Sequence, residues 1–104
     1  MKQKIYLVCN AHLDPVWLWQ RTEGMAEALS TFRIAADFCE RYDNFVFNHN
    51  ESVLYEWVME NDKKLFERIQ NLVKKGKWRI PEKTLFIITV MRRRNWNNCW
   101  NVHI

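Results

Sequence analysis

Apolar and polar residues change rhythm several times along the 104-residue chain, and each rhythm predicts an element. Residues 4–9 are a nearly continuous apolar run that suits a strand covered on both faces of a parallel sheet. From Thr22 the spacing changes. Met25, Leu29, Phe32, Ala36 and Cys39 fall 4, 3, 4 and 3 residues apart, one face of a helix, with Thr22 as its cap and Glu23 in its first turn. After a polar turn at 41–44, residues 45–47 read as a second strand. A helix follows from Ser52 to about Glu60, with Val53, Leu54, Trp57 and Val58 as its apolar positions. Asn61 or Asp62 then caps a third helix that turns Leu65, Phe66, Ile69, Leu72 and Val73 inward and stops at Lys74, Lys75 and Gly76. Residues 78–80 make a third strand.

The order β, α, β, α-α, β has no hairpin signal between strands, so a parallel sheet with helical crossovers is predicted. Ligands in such folds sit beyond the carboxyl ends of the strands. Two polar clusters, 10–19 and 48–51, lie at that edge. Past Ile80 the texture changes: 81–84 read as a turn, 85–91 as an apolar, strand-like run, and 92–101 as a stretch with neither period.

Charge and composition narrow the functional classes. The net charge is +4, yet residues 1–80 hold twelve Lys and Arg against eleven Asp and Glu, while 81–104 hold four against one. The two signs are interspersed over the first 80 residues, so no polyanion-binding face is expected there and nucleic acid is disfavoured as a partner. Three cysteines without CxxC spacing, and no leader-like opening, fit a reducing, cytoplasmic setting. No apolar run approaches the roughly 18 residues of a membrane-spanning helix, so no membrane partner is expected. Six Trp and six Phe are dense for this length and serve either as core or as a binding wall.

The candidate chemistry is concentrated in the stretch from Asn10 to Trp19. In extended backbone His12 and Asp14 project together, one imidazole and one carboxylate at the mouth of the sheet. That pair suits two ligands of zinc or another first-row divalent metal, or else hydrogen bonds to backbone at a strand-to-helix turn. Pro15 holds Asp14 extended. Trp17 and Trp19 offer flat apolar faces for a sugar ring or for a core. His49 and Glu51 repeat the spacing after the second strand, where Glu51 also suits the first turn of the next helix. Trp57 and Trp78 fall on apolar faces and are assigned to the core.

The run from Ala11 to Trp19, then residues 45–47 with Glu51 and Tyr55, Glu56 and Trp57, then Gly76, Lys77, Trp78, Arg79 and Ile80, resembles the N-terminal catalytic domain of family 38 glycoside hydrolases, the zinc-dependent retaining α-mannosidases. The resemblance implies an α/β fold, the opening β/α units of a parallel seven-stranded β/α barrel-like domain, incomplete in this chain. It also implies His12 and Asp14 as zinc ligands, Trp17 lining the mannose subsite, an α-mannoside substrate, and the missing remainder of the barrel as the structural partner. A second Asp, the nucleophile, and a later His complete the zinc shell in the family, and a further carboxylate acts as acid/base.

The resemblance stops at Pro81, where the family continues with a Gly-Gly-Trp stretch, and no Asp follows Asp62. No residue of this chain is therefore assigned as catalytic. Residues 1–80 are read as an N-terminal fragment of the catalytic domain, inactive alone, and 81–104 as a divergent, frameshifted tail. Two other readings compete. One is a small basic module in which Arg92, Arg93 and Arg94 contact phosphates while Trp96 and Trp100 stack on bases. The other is a non-functional remnant that does not fold stably.

Overall fold

The computed structural model describes residues 3–13, 15 and 20–95. Its elements in chain order are α1 (Arg21–Arg41), β1 (Phe47–Asn48), α2 (Ser52–Asn61), α3 (Lys63–Lys74), β2 (Trp78–Arg79) and α4 (Glu82–Asn95). Strands β1 and β2 pair in parallel, Phe47 opposite Trp78 and Asn48 opposite Arg79. The result is a small mixed α/β domain.

The strand expected over 4–9 contracts to one parallel bridge between Cys9 and Phe47. Cys9 donates its N–H to Val46 O at 3.0 Å and accepts from Asn48 N at 2.8 Å. Strand β1 is two residues long and gives a neighbour only one place to pair. Ile5, Tyr6 and Leu7 are each more than four-fifths exposed and lack the two-sided cover that their apolar run implied. The second strand likewise sits at Phe47–Asn48 rather than 45–47, and the third ends at Arg79.

Helix α1 buries Gly24, Ala28, Phe32, Ala35, Ala36 and Cys39. Its buried stripe is made largely of small residues, and the expected Met25 and Leu29 lie half-buried at the margin of the core. Gln20, not Thr22, occupies the N-cap and makes no side-chain cap bond; its carbonyl accepts from Glu23 N and Gly24 N, each at 3.1 Å. Phe32 stands at the centre of an aromatic group. Its ring centroid lies 5.2 Å from Tyr55, 5.2 Å from Trp78, 5.3 Å from His49 and 6.2 Å from Phe47. Such tilted and edge-on packing adds to the burial energy of the rings.

Helix α3 follows the sequence closely. Asp62 caps it by accepting from Leu65 N at 3.0 Å, and Leu65, Phe66, Ile69 and Leu72 are buried. The N–H donors of Leu65 and Arg33 hold the Asp62 carboxyl below its ordinary value. Gly76 ends the unit with φ of +75°, a left-handed turn that favours glycine. Arg33 reaches Asp62 at 3.0 Å, and Arg68 reaches Asp37 at 2.6 Å and Glu40 at 2.9 Å, so ion pairs tie α1 to α3.

Residues 82–95 form a helix where the sequence suggested a turn, a strand and an aperiodic stretch. Leu85 N donates to Pro81 O at 2.9 Å and starts the helix. Thr84, Leu85 and Ile88 are buried while Phe86, Ile87 and Val90 are exposed. Burial at 84, 85 and 88 is helical spacing, and contact with α2 selects it. An unbroken apolar run gives no periodicity to choose between strand and helix, so packing decided.

Candidate functional site

The parallel order of Cys9, β1 and β2 brings residues 10–13, 48–51 and 80–82 to one edge, beyond the carboxyl ends of the strands. Asn10 donates its carboxamide N–H to Asn48 O at 2.8 Å and also to the Asn48 side-chain oxygen. Ala11 and Leu13 pack against the core as half-buried residues. Between them His12 is an exposed residue at the sheet mouth. A depression at the same edge is lined by Asn10, Asn48, Asn50, Arg79 and Glu82 over Ile80 and Pro81.

His49 is the polar residue that sequence reasoning undervalued. It is 2% exposed. Its Nδ1 accepts from Glu51 N at 3.2 Å. Because Nδ1 accepts, the hydrogen-bond network puts the proton on Nε2. Burial lowers the His49 pKa, and the adjacent His12 works in the same direction; the Ala11 carbonyl and Glu51 oppose it. Burial thus favours the neutral form of the imidazole. A signal for this burial existed in the sequence: His49 stands two residues after Phe47 and so shares its inward face in extended backbone.

A buried chain of donors underlies this edge. Trp78 Nε1–H donates to the Tyr55 hydroxyl at 2.9 Å, which donates to the His49 carbonyl at 2.8 Å. Burial pushes the Tyr55 hydroxyl pKa well up, and the Trp78 donor offsets part of that shift. Thr84 closes the far side by donating to Asn50 O at 2.7 Å.

The candidate residues divide as follows. His12 lies at the edge, while its expected metal-binding companion Asp14 and the sugar-wall candidate Trp17 lie outside the described residues, as does Trp19. Glu51 is the N-cap of α2 without a side-chain cap bond. Trp57 and Trp78 are core, 2% and 1% exposed. Trp57 Nε1 has no hydrogen-bond partner among the described residues, and the Arg21 guanidinium lies 5.8 Å from its ring centroid. Arg92, Arg93 and Arg94 belong to the end of α4, and Trp96 and Trp100 lie outside the described residues.

Among the described residues no group of three His, Cys, Asp or Glu side chains could hold a metal ion. His12 suits one ligand position by its exposure and placement, and a shell would need Asp14 and further donors. No helix among the described residues is long and apolar enough to cross a membrane.

Comparison with known proteins gives two matches. The family model for the glycosyl hydrolases family 38 N-terminal domain matches residues 2–84. Alpha-mannosidase G of Dictyostelium discoideum is 27% identical over 75 residues, covering 72% of this chain and 7% of that relative. The chain thus spans a small fraction of the curated relative it matches.

Proposed function

The chain belongs to glycosyl hydrolase family 38, and from that membership we propose that it is the opening part of a zinc-dependent retaining α-mannosidase catalytic domain. The observation that carries this reading is the family match over residues 2–84 together with exposed His12 at the carboxyl edge of parallel strands. His12 and Asp14 supply two metal ligands, and Trp17 offers the sugar an apolar face. Further ligands and the remaining strands of a seven-stranded β/α barrel come from chain outside these 104 residues. Zinc held at such an edge would polarise and orient sugar hydroxyls.

This chain's own contribution is binding and orientation. Asn10 and Asn48 present carboxamides at the same edge, groups suited to hydroxyl recognition. The two carboxylates that retaining glycosidases need as nucleophile and acid/base are not assigned to any residue here, since no Asp follows Asp62. The 104-residue chain alone is accordingly inactive towards α-mannosides.

A chimera tests the reading. The segment of Dictyostelium alpha-mannosidase G that aligns with this chain is replaced by this chain's sequence, and hydrolysis of an aryl α-mannoside is followed. The folded chimera is expected to hydrolyse the substrate, with kcat/KM reduced on the order of 100-fold or more by His12→Ala or Asp14→Ala, the scale of a ligand or orienting group lost from a metal site. A folded chimera without activity, or one indifferent to both substitutions, would overturn it.

A further inference from the structure

We propose that the depression at the carboxyl edge of the strands is a hexose-binding subsite, read by Asn10, Asn50, Arg79 and Glu82. The class of ligand rests on the glycoside hydrolase reading given above, and the place rests on the structure. The volume, about 460 Å³, is that of a small-molecule site rather than of a single ion. Ile80 and Pro81 make an apolar floor, and the walls are polar. A sugar ring has the matching division, with C–H groups on its faces and hydroxyls around its rim.

The walls are set before a ligand arrives. On one side Asn10 Nδ2 donates to the Asn48 carbonyl at 2.8 Å and to Asn48 Oδ1. A backbone carbonyl only accepts, so nitrogen is the atom of Asn10 that faces it, and both of its hydrogens are used. Asn10 Oδ1 is left as an acceptor and Asn48 Nδ2 as a donor. On the other side Thr84 Oγ1 donates to the Asn50 carbonyl at 2.7 Å and ties the first turn of α4 to the loop after β1. His49 N–H holds the Arg79 carbonyl at 3.3 Å. Backbone fixed in advance lowers the ordering cost of binding.

The side chains left over are those that hydroxyls need. Asn50, Arg79 and Glu82 make no side-chain hydrogen bond or ion pair among the described residues. They offer amide and guanidinium donors together with carboxamide and carboxylate acceptors, and a hydroxyl uses both kinds. Arg79 and Glu82 carry opposite charges, so an anion drawn to the guanidinium meets the carboxylate, and a cation meets the reverse. A neutral polyol meets neither penalty. Asn10 stands two residues before His12, so the depression lies on the edge of the proposed metal centre. On the glycosidase reading, the sugar held there is a neighbouring unit of the same glycan.

The test follows backbone and side-chain N–H signals of the 104-residue chain by NMR, without metal, as α-linked mannobiose is added. Shifts are expected at Asn10, Asn48, Asn50 and Arg79 and not along α3, saturating with a Kd on the order of 1 mM. Arg79→Ala and Asn50→Ala are each expected to weaken binding about 3- to 10-fold, the scale of a hydrogen bond or two to the ligand. Both residues are exposed, so the variants keep the fold, which unchanged α3 signals verify. The proposal is overturned by the absence of saturable shifts at these residues, by affinity indifferent to both substitutions, or by an equally strong response to inorganic phosphate. Zinc titration of a separate sample keeps the two readings apart. No zinc binding at His12 would remove the metal centre and leave the sugar result standing, whereas zinc binding without mannobiose binding would overturn the subsite alone.

Discussion

Tyr55 shows how much one buried hydroxyl can carry in a domain this small. It accepts from Trp78 Nε1 and donates to the His49 carbonyl, joining β2 to the residue beneath the candidate site. Tyr55→Phe leaves a buried N–H and a buried carbonyl each without that partner, and an unfilled buried polar group costs about 1–3 kcal/mol. Urea denaturation of the variant is therefore expected to show a loss of at least about 1 kcal/mol. The pH dependence has a definite sign. The Tyr55 pKa is raised in the fold above its ordinary value of 10.0, so the protonated hydroxyl is favoured by folding. Its contribution is fully present below that value and is lost as pH rises through and beyond it, where the unfolded chain ionises first. Tyr55→Phe should flatten this alkaline loss, which denaturation at stepped pH would reveal. A variant with the same alkaline slope as the parent would contradict the assignment.

At the level of elements, the sequence was most informative where period and punctuation agreed. Asp62, the inward set from Leu65 to Leu72 and the Gly76 stop defined α3 because cap, face and terminator all pointed to one helix. Parallel pairing followed from the alternation of elements, although the strands proved two residues long. Residues 85–91 were opaque for a physical reason. A run of seven residues with no charge has no polar side to reveal its period, and β-branched residues such as Ile87, Ile88 and Val90 favour a strand by propensity. The burial of Leu85 and Ile88 against the rest of the molecule overrode that preference. Substitution checks the helical register directly. In a strand, positions 86 and 88 would share a face and respond alike. In α4, Ile88 is fully buried and Phe86 is 62% exposed. Ile88→Ala is expected to cost about 2–5 kcal/mol and Phe86→Ala within about 0.5 kcal/mol. Equal costs measured by urea denaturation would contradict the helix.

Across the whole molecule, the family membership and the open edges of the structure point the same way. Ile5, Tyr6 and Leu7 on one side, and Phe86, Ile87 and Val90 on α4, present apolar surface to solvent. A three-position parallel sheet with such flanks suits a domain whose neighbours complete it. The chain covers 7% of its Dictyostelium relative. The burial of His49 was masked by the polar run 48–51, although its place two residues after Phe47 marks the inward face. Of the candidate site, His12 is exposed at the sheet edge, while Asp14 and Trp17 lie outside the described residues. The proposal that this motif is part of a zinc and mannoside site stands on one measurement above others: calorimetric titration of the 104-residue chain with zinc, repeated for His12→Ala and Asp14→Ala. Weak binding that falls about tenfold or more in each variant is the expected result, since each removes one of only two proposed ligands. No binding by the parent chain, or binding that survives both substitutions unchanged, would contradict it.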